Sequence, residues 1–285
     1  MTAPPLDDQP TDQRTADAFA SSWNRVGTVY TREQFDEWFR PLDPGEFEKQ
    51  EVLELGFGNG SLLYHMATCS PARLVGVELG DTLEQTRANL AAVAEKTQLE
   101  LQQGDLLTVD LGRFDLVYCI GVLHHLDDPS AGFDAVLRHT APGQRFHCWV
   151  YAREGNLVVR SIVEPIRRVA CRLPWWFTKY GLALPLVFPY FLYAKALSKL
   201  SKGTGGLSRL AKSLPLYEYS LWIARRRFAF FHHVAFDQLV TPQTTFLSQA
   251  QVLKWLRDSR VDPATTYLIF RNGNSWKFGG RRRAD

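Results

Sequence analysis

Cysteine is scarce in this chain of 285 residues. The four thiols, Cys69, Cys119, Cys148 and Cys171, include no pair at zinc-site spacing, and none has a histidine at finger distance. That excludes a cysteine-built metal centre, and so few scattered thiols do not make a disulfide scaffold. Reduced thiols in a cytoplasmic protein are expected, the more so because no basic-then-apolar signal opens the sequence. Long apolar runs are missing too. Tyr180 to Ala194 carries no charge over 15 residues, but a spanning helix needs about 20. Pro185 and Pro189 also interrupt it, so a transmembrane span is rejected. There is no internal repeat and no low-complexity block, which removes solenoids and arrays.

What is present is unevenly spread. The net charge is only +3. Yet Arg153 to Val240 holds 14 Lys and Arg against 4 Asp and Glu, and 15 of the 36 aromatics. The rest of the chain is acidic by balance. A stretch so unlike its surroundings reads as a separate structural unit. The polar segment Met1 to Gln13 and the charged end Arg281 to Asp285 read as tails.

Periodicity organises the remainder. Asp17 to Phe39 reads as helical, with Phe19, Trp23, Val26 and Val29 at three-to-four spacing. Pro41 and Pro44 then break it. From Glu51 to Tyr151 short apolar runs alternate with helical stretches. The strands are Val52–Leu55, Leu74–Leu79, Leu99–Gln102, Phe114–Ile120 and Arg145–Tyr151. The helices are Ser61–Ala67, Thr82–Glu95 and Ala131–His139. Repeated strand–helix units with short links specify a parallel sheet covered on both faces, with ligands at the carboxyl ends of the strands. After the insertion, Ser248 caps a helix to Leu256, with Gln251 in the capping-box place. Tyr267–Arg271 and Ser275–Phe278 form a hairpin on Asn272-Gly273.

The expected fold is therefore α/β, a doubly wound and mostly parallel seven-stranded sheet. It has N-terminal cap helices in residues 1–48 and a ligand-binding core in 49–152. A helical insertion after the fifth strand fills 153–240, and 241–285 completes the core.

The chemistry concentrates at the first strand's end. Glu54-Leu55-Gly56-Phe57-Gly58-Asn59-Gly60 is an acid followed by Gly-x-Gly-x-Gly, whose glycines let a ligand approach the main chain. A dinucleotide site prefers Gly-x-Gly-x-x-Gly, and here that last place is Ser61. An acid at this position opposes a pyrophosphate and suits an ammonium group. Glu78 ends the second strand 18 residues after Gly60, where a carboxylate can accept both ribose hydroxyls. Asp105 follows the third strand and can accept from an exocyclic amine. Three acids at three successive strand ends suit a cationic, adenosine-containing ligand.

With these residues in place, Glu51 to Pro129 resembles class I SAM-dependent methyltransferases (SAM, S-adenosylmethionine), small-molecule type, especially the ubiquinone-pathway O-methyltransferases. The resemblance implies SAM as cofactor, its methionine end on Glu54, Gly56, Gly58 and Gly60. It implies Glu78 on the ribose, Asp105 on the adenine amine, Leu106 by the adenine and Ile120 flanking the cofactor. Phe57 stands where many relatives carry a small residue or Cys, and is expected to pack near the cofactor. Phe114 to Leu126 looks like the family's fourth-strand motif. There His125, or His124, is a candidate general base, against a reading in which His125 only orders the loop. The pair His232-His233 could serve instead; neither pair has the company of a metal site.

Trp23, Tyr151, Trp175 and Trp176 are candidates for the acceptor pocket. The basic, aromatic insertion is expected to be a lid, read as a helical cap, as the wall of a pocket for a lipophilic or anionic acceptor, or as a peripheral membrane contact. Nucleic acid is disfavoured despite Arg225–Arg227 and Arg281–Arg283, because the Asn/Asp-Pro-Pro-aromatic motif is missing after strand four. The acceptor is thus a small or lipophilic metabolite, methylated on oxygen in preference to nitrogen or carbon. The alternatives are an RNA methyltransferase and a catalytically silent SAM-binding module. No feature points to an oligomeric state.

Overall fold

A computed structural model of the chain describes residues 11–24, 30–203, 205–214 and 216–284. Helix α1 (Thr11–Trp23) begins inside the segment read as a tail, and Val26 and Val29 lie outside the described residues. The helical stretch up to Phe39, read as cap helices, is two helices. A second start signal was hidden in it: Thr31 accepts from the Gln34 N–H while the Gln34 side chain accepts from the Thr31 N–H, a capping box opening α2 (Arg32–Phe39).

The core then alternates β1 (Glu51–Leu55), α3 (Ser61–Ala67), β2 (Arg73–Glu78), α4 (Leu83–Ala94), β3 (Gln98–Gln103), β4 (Phe114–Ile120), α5 (Pro129–His139) and β5 (Thr140–Tyr151). Beyond β5 come α6 (Glu164–Ala170), α7 (Leu184–Leu200), α8 (Gly206–Ser213), α9 (Tyr217–Ala224) and α10 (Phe228–Val240). The chain closes with α11 (Gln249–Leu256), β6 (Val261–Arg271) and β7 (Ser275–Arg282). The seven strands form one sheet in the order β3-β2-β1-β4-β5-β7-β6. The pairs β1/β2, β1/β4, β2/β3 and β4/β5 are parallel. The chain reverses its strand order at β1/β4, the switch point where open α/β sheets bind ligands.

The order follows from composition. Val52, Leu53 and Leu55 on β1 and Leu116, Val117 and Tyr118 on β4 are fully buried, as central strands covered on both faces must be. Gln98-Leu99-Glu100-Leu101-Gln102-Gln103 alternates apolar with polar and ends the sheet at β3, an edge whose charges discourage further pairing. At the opposite end, β6 and β7 are arms of a hairpin on Asn272 and Gly273, both at positive φ. The strand β7 runs on to Arg282. Arg281 reaches the Gly143 carbonyl and Arg282 those of Leu137 and Thr140, so this end of the chain is sheet and not a loose tail.

The chain divides into two compact units. The first holds residues 1–151, 243–269 and 276–285, the second 152–242 with the hairpin tip 270–275. In the first, α2 packs on the sheet through Trp38 against Trp149 (4.8 Å between centroids) and Phe39 against Tyr118 (5.0 Å). Within this core His147 donates from Nε2 to the Trp38 carbonyl (2.9 Å) and accepts at Nδ1 from the Tyr267 hydroxyl (2.5 Å). Burial holds its pKa down to about 3, so it stays neutral and both nitrogens are used. In the second unit, Val187, Ala194, Ile223, Ala224 and Phe231 form one apolar cluster, and Ala170, Ala183, Phe236, Leu239 and Val240 another.

Phe57, expected beside a cofactor, is a core residue: it is buried in the main cluster over Gly76 of β2. A Cβ on Gly76 would lie 2.7 Å from the Phe57 ring and 3.0 Å from Leu63. Gly76→Ala should therefore destabilise by about 1–3 kcal/mol through overpacking. The pair Gly76→Ala/Phe57→Leu should cost less than the two single changes together. Denaturant unfolding of the four proteins measures this, and simple additivity would show that the two side chains do not meet.

Candidate active site

The segment Gly56 to Gly60 turns the chain from β1 into α3. Its three glycines sit at φ of +84°, +55° and +76°, the left-handed region that costs an L-residue with a Cβ. At Gly56 a second reason applies, since a Cβ would stand 2.2 Å from Val122 on the loop after β4. The Val122 side chain thus packs directly on the Gly56 backbone. The sequence reading missed what fastens this turn. Thr86 of α4 donates its hydroxyl to the Gly58 carbonyl (3.2 Å), and Asn89 donates its amide to the Asn59 carbonyl (2.9 Å). The buried Asn59 side chain accepts from the Ser61 N–H and hydroxyl. The spacing Thr86, Asn89, Val93 along one face of α4 carries this signal, but only with the fold in hand.

Three acids stand at three neighbouring strand ends, as expected. Glu54 is 2% exposed on β1, and the Tyr118 hydroxyl donates to its Oε2 at 2.8 Å. Loss of water raises its pKa to about 8; the Tyr118 hydrogen bond opposes this and the nearby Glu78 charge adds to it. Glu78 ends β2 and accepts the Gly58 N–H at 2.8 Å and the Gly80 N–H at 3.0 Å. Burial pushes its pKa up while those backbone donors pull it down. One carboxylate therefore braces the glycine turn against the loop after β2. Asp105 follows β3 and its Oδ1 accepts the Leu107 N–H at 2.8 Å, turning the chain so that Leu106 is buried. Ile120 ends β4, partly buried against the main core.

Helix α1 closes this edge of the first unit. A Cβ on Gly80 would touch the Ala16 carbonyl at 2.9 Å, and one on Gly58 would lie 3.8 Å from Trp23. The Asp12 carboxylate accepts the Asp127 N–H at 2.8 Å, and the Asn24 amide donates to the Asp81 carbonyl at 2.8 Å. Trp23 thus stands at the glycine turn, and Phe19 sets its ring edge on His125 at 4.9 Å.

His125 Nδ1 lies 2.9 Å from the Gln243 carbonyl and 3.2 Å from the Thr244 hydroxyl. A carbonyl can only accept, so Nδ1 carries a proton. His124 is fully buried, 4.4 Å from the Tyr151 ring and 5.5 Å from that of Trp149, and its carbonyl accepts the Thr245 N–H. It is a packing residue. Tyr151 at the end of β5 joins this aromatic group, so Trp23, His125 and Tyr151 belong to one unit with the three acids. Trp175 and Trp176 do not: they lie in the second unit, 39% and 57% exposed. So does the pair His232-His233, whose Nε2 atoms face the Lys179 carbonyl and the Asp237 carboxylate. Among the described residues no group of three His, Cys, Asp or Glu is placed to hold a metal.

The raised pKa of Glu54 has a stability consequence of definite sign. Folded, the group holds a proton up to about pH 8; unfolded, it releases it near its ordinary value of 4.5. Its contribution is greatest below 4.5 and is lost as pH rises towards 8. Glu54→Gln keeps an acceptor for Tyr118 and cannot ionise. It should match the parent near pH 5 and exceed it by about 0.5–2 kcal/mol at pH 8, in the range of other stabilising single changes. Thermal unfolding at the two pH values tests this; an unchanged gap between the proteins would refute the buried, protonated carboxyl.

Residues 53–146 match the family described as "Methyltransferase domain". An uncharacterized protein of Synechococcus is 32% identical over 124 residues, 41% of this chain and 29% of that protein. The ubiquinone biosynthesis O-methyltransferase of Albidiferax ferrireducens is 29% identical over 133 residues, 46% of this chain and 50% of that one. The chain spans half or less of the length of these relatives. Among solved structures, magnesium protoporphyrin IX methyltransferase from Synechocystis, with bound S-adenosylhomocysteine, superposes with a TM-score of 0.55. It is 15% identical and covers 96% of this chain and 100% of that one. A glycine turn braced between acids at adjacent strand ends, on this strand order, is thus found where the family match falls: residues 53–146 match the methyltransferase-domain family, and the chain has the class I, Rossmann-like fold of such enzymes.

Proposed function

We propose that the protein is a SAM-dependent methyltransferase acting on an oxygen of a small or lipophilic metabolite. The observation that carries it is the row Glu54, Glu78 and Asp105 at the carboxyl ends of β1, β2 and β3, around a turn of three left-handed glycines. A pyrophosphate-bearing ligand would meet two buried carboxyls here. A ligand with an ammonium group, a ribose and an adenine meets one acceptor for each part. The preference for oxygen is supported by the ubiquinone biosynthesis O-methyltransferases among the relatives.

SAM, when bound, supplies an electrophilic methyl on a positively charged sulfur. The chain's own work is then to bind, orient and exclude water. Glu54, once ionised, fixes the ammonium end. Glu78 exchanges backbone donors for ribose hydroxyls, which couples cofactor binding to the position of the Gly58 and Gly80 loops. Leu106 and Ile120 supply apolar surface beside the adenosine. His125, fixed through Nδ1 on the segment that returns to α11, ties the β4 loop to α1 through Phe19, and we assign it to loop order rather than to proton abstraction.

Four outcomes test the reading. Turnover of SAM to S-adenosylhomocysteine with phenolic acceptors is expected, and SAM binding without turnover on any acceptor class would leave a binding module instead. Affinity for SAM should rise with pH between 6 and 8 by up to about tenfold per unit, as for one released proton, and Glu54→Gln should abolish the slope. Calorimetry should show Glu78→Ala weakening SAM binding by about 1.5–3 kcal/mol. His125→Ala should lower affinity and rate together by less than about tenfold, whereas a general base would lose 10²–10⁴ in kcat alone.

A further inference from the structure

Exposed large apolar side chains are concentrated in the second unit. Of 15 in the described residues, 13 fall between Leu157 and Leu210. Soluble surfaces scatter such residues singly, and a concentration of them marks a surface with a partner. The same stretch, Leu157 to Leu210, carries 9 Lys and Arg against a single acid, Glu164. Apolar and cationic character on one body is the combination that an anionic lipid surface satisfies, because acyl chains take the first and headgroup phosphates the second.

The long helix displays the arrangement. Helical backbone runs without a break from Phe177 to Leu200, passing through Pro189, so the prolines do not interrupt it as the sequence suggested. One side is spent inside the unit: Val187 and Ala194 pack with residues of α9 and α10, and Leu197 is buried as well. The other is open. Phe188 is 51% and Leu192 54% exposed, on a stripe that continues one and two turns on through exposed Lys195 and Lys199. Lys195 bends back to the Ala224 carbonyl, while Lys199 and Lys202 extend the stripe as exposed cations. Trp175 and Trp176 stand exposed just before this helix, the residue type favoured where hydrocarbon meets headgroup.

By length and composition this helix could cross a bilayer. Its packing argues for lying in the interface. The helices covering its inner side, α9 and α10, have 8 and 13 residues, too short for a hydrocarbon layer of about 30 Å. A crossing would place their helix ends and Arg225–Arg227 in lipid without water.

We propose that the second unit docks on an anionic bilayer surface, α7 lying in the interfacial plane with Phe188 and Leu192 in the acyl region and Lys199 and Lys202 on lipid phosphate. The test is flotation of the full chain with phosphatidylcholine vesicles, with and without phosphatidylglycerol. Binding should favour the anionic vesicles by at least about tenfold and fall with salt. Phe188→Glu/Leu192→Glu and Lys199→Glu/Lys202→Glu should each lose that binding while keeping the parent's circular dichroism and SAM affinity. Lys199→Arg/Lys202→Arg should retain it. No binding to either vesicle, or binding indifferent to both charge changes, overturns the proposal. So does light scattering that shows a second copy covering the patch, dissociated by Phe188→Glu/Leu192→Glu. Binding resistant to high salt and carbonate washing would replace docking with a spanning helix. None of these readouts depends on turnover, so failure here and failure of the methyltransferase reading are separable.

Discussion

The desolvation of Glu54 is the constraint on which the site depends. A carboxyl at the end of a fully buried central strand, with a phenol and a second carboxyl as neighbours, is costly to ionise. Left alone it keeps its proton, and the site is neutral where it will later be negative. A cation arriving there must offset the cost of ionising the carboxyl through its attraction to it, so binding and proton release are coupled. The neighbouring parts follow from the same condition. Tyr118 can approach from β4 only because the β1/β4 register sets it opposite Glu54, and that pairing is the switch point itself. The fold thus places a buried, protonated carboxyl at the same strand pair where the sheet reverses its order.

Glu78 shows how the same row of acids holds the turn together before any ligand is present. Its two oxygens divide between the Gly58 and Gly80 N–H groups, 20 and 2 residues away in sequence. The glycines are conformationally permissive, and a turn of three would cost entropy to order unless fixed. Glu78 fixes it from β2, while Thr86 and Asn89 fix it from α4. A loop so held is preorganised, and a ligand pays little to order it. Trp23 and Phe19 add a wall from α1, a helix whose close approach is permitted by the missing Cβ of Gly80.

Where one physical signal dominated, it was legible in the sequence. The strands β1 to β4 were, because a parallel sheet demands apolar runs of strand length between helical ones. The boundaries of Ser61–Ala67 and Phe114–Ile120 agree to the residue. The capping box at Ser248 and the Asn272-Gly273 hairpin were legible because their signals are local. Three features were not, each because a longer-range effect outweighed a local cue. Helix α1 begins at Thr11 in polar sequence, held by Asp12 on Asp127, a partner 115 positions away. Arg281 and Arg282, read as part of a tail, belong to β7 because their guanidinium groups find carbonyls on β5 and at the end of α5. Phe57 reads as a loop residue beside a ligand, yet Gly76 on the next strand leaves it a cavity in the core.

Pro189 belongs with these cases and shows why local rules fail inside the second unit. A proline within a helix removes one N–H bond and crowds the preceding turn, at a cost of about 3 kcal/mol. Such a cost breaks an isolated helix, whose formation is marginal in water. Here the helix is not isolated. Val187 and Ala194 bury one side against Ile223, Ala224 and Phe231, and Tyr190 bonds Ser220 at 2.8 Å. Burying several such side chains at about 1.5–3 kcal/mol each exceeds the proline penalty. Pro189 itself is exposed, on the side away from those contacts. The packed face therefore decides the backbone. The exposed face is left free to carry residues that packing does not choose, and on α7 those residues are Phe188, Leu192, Lys199 and their neighbours.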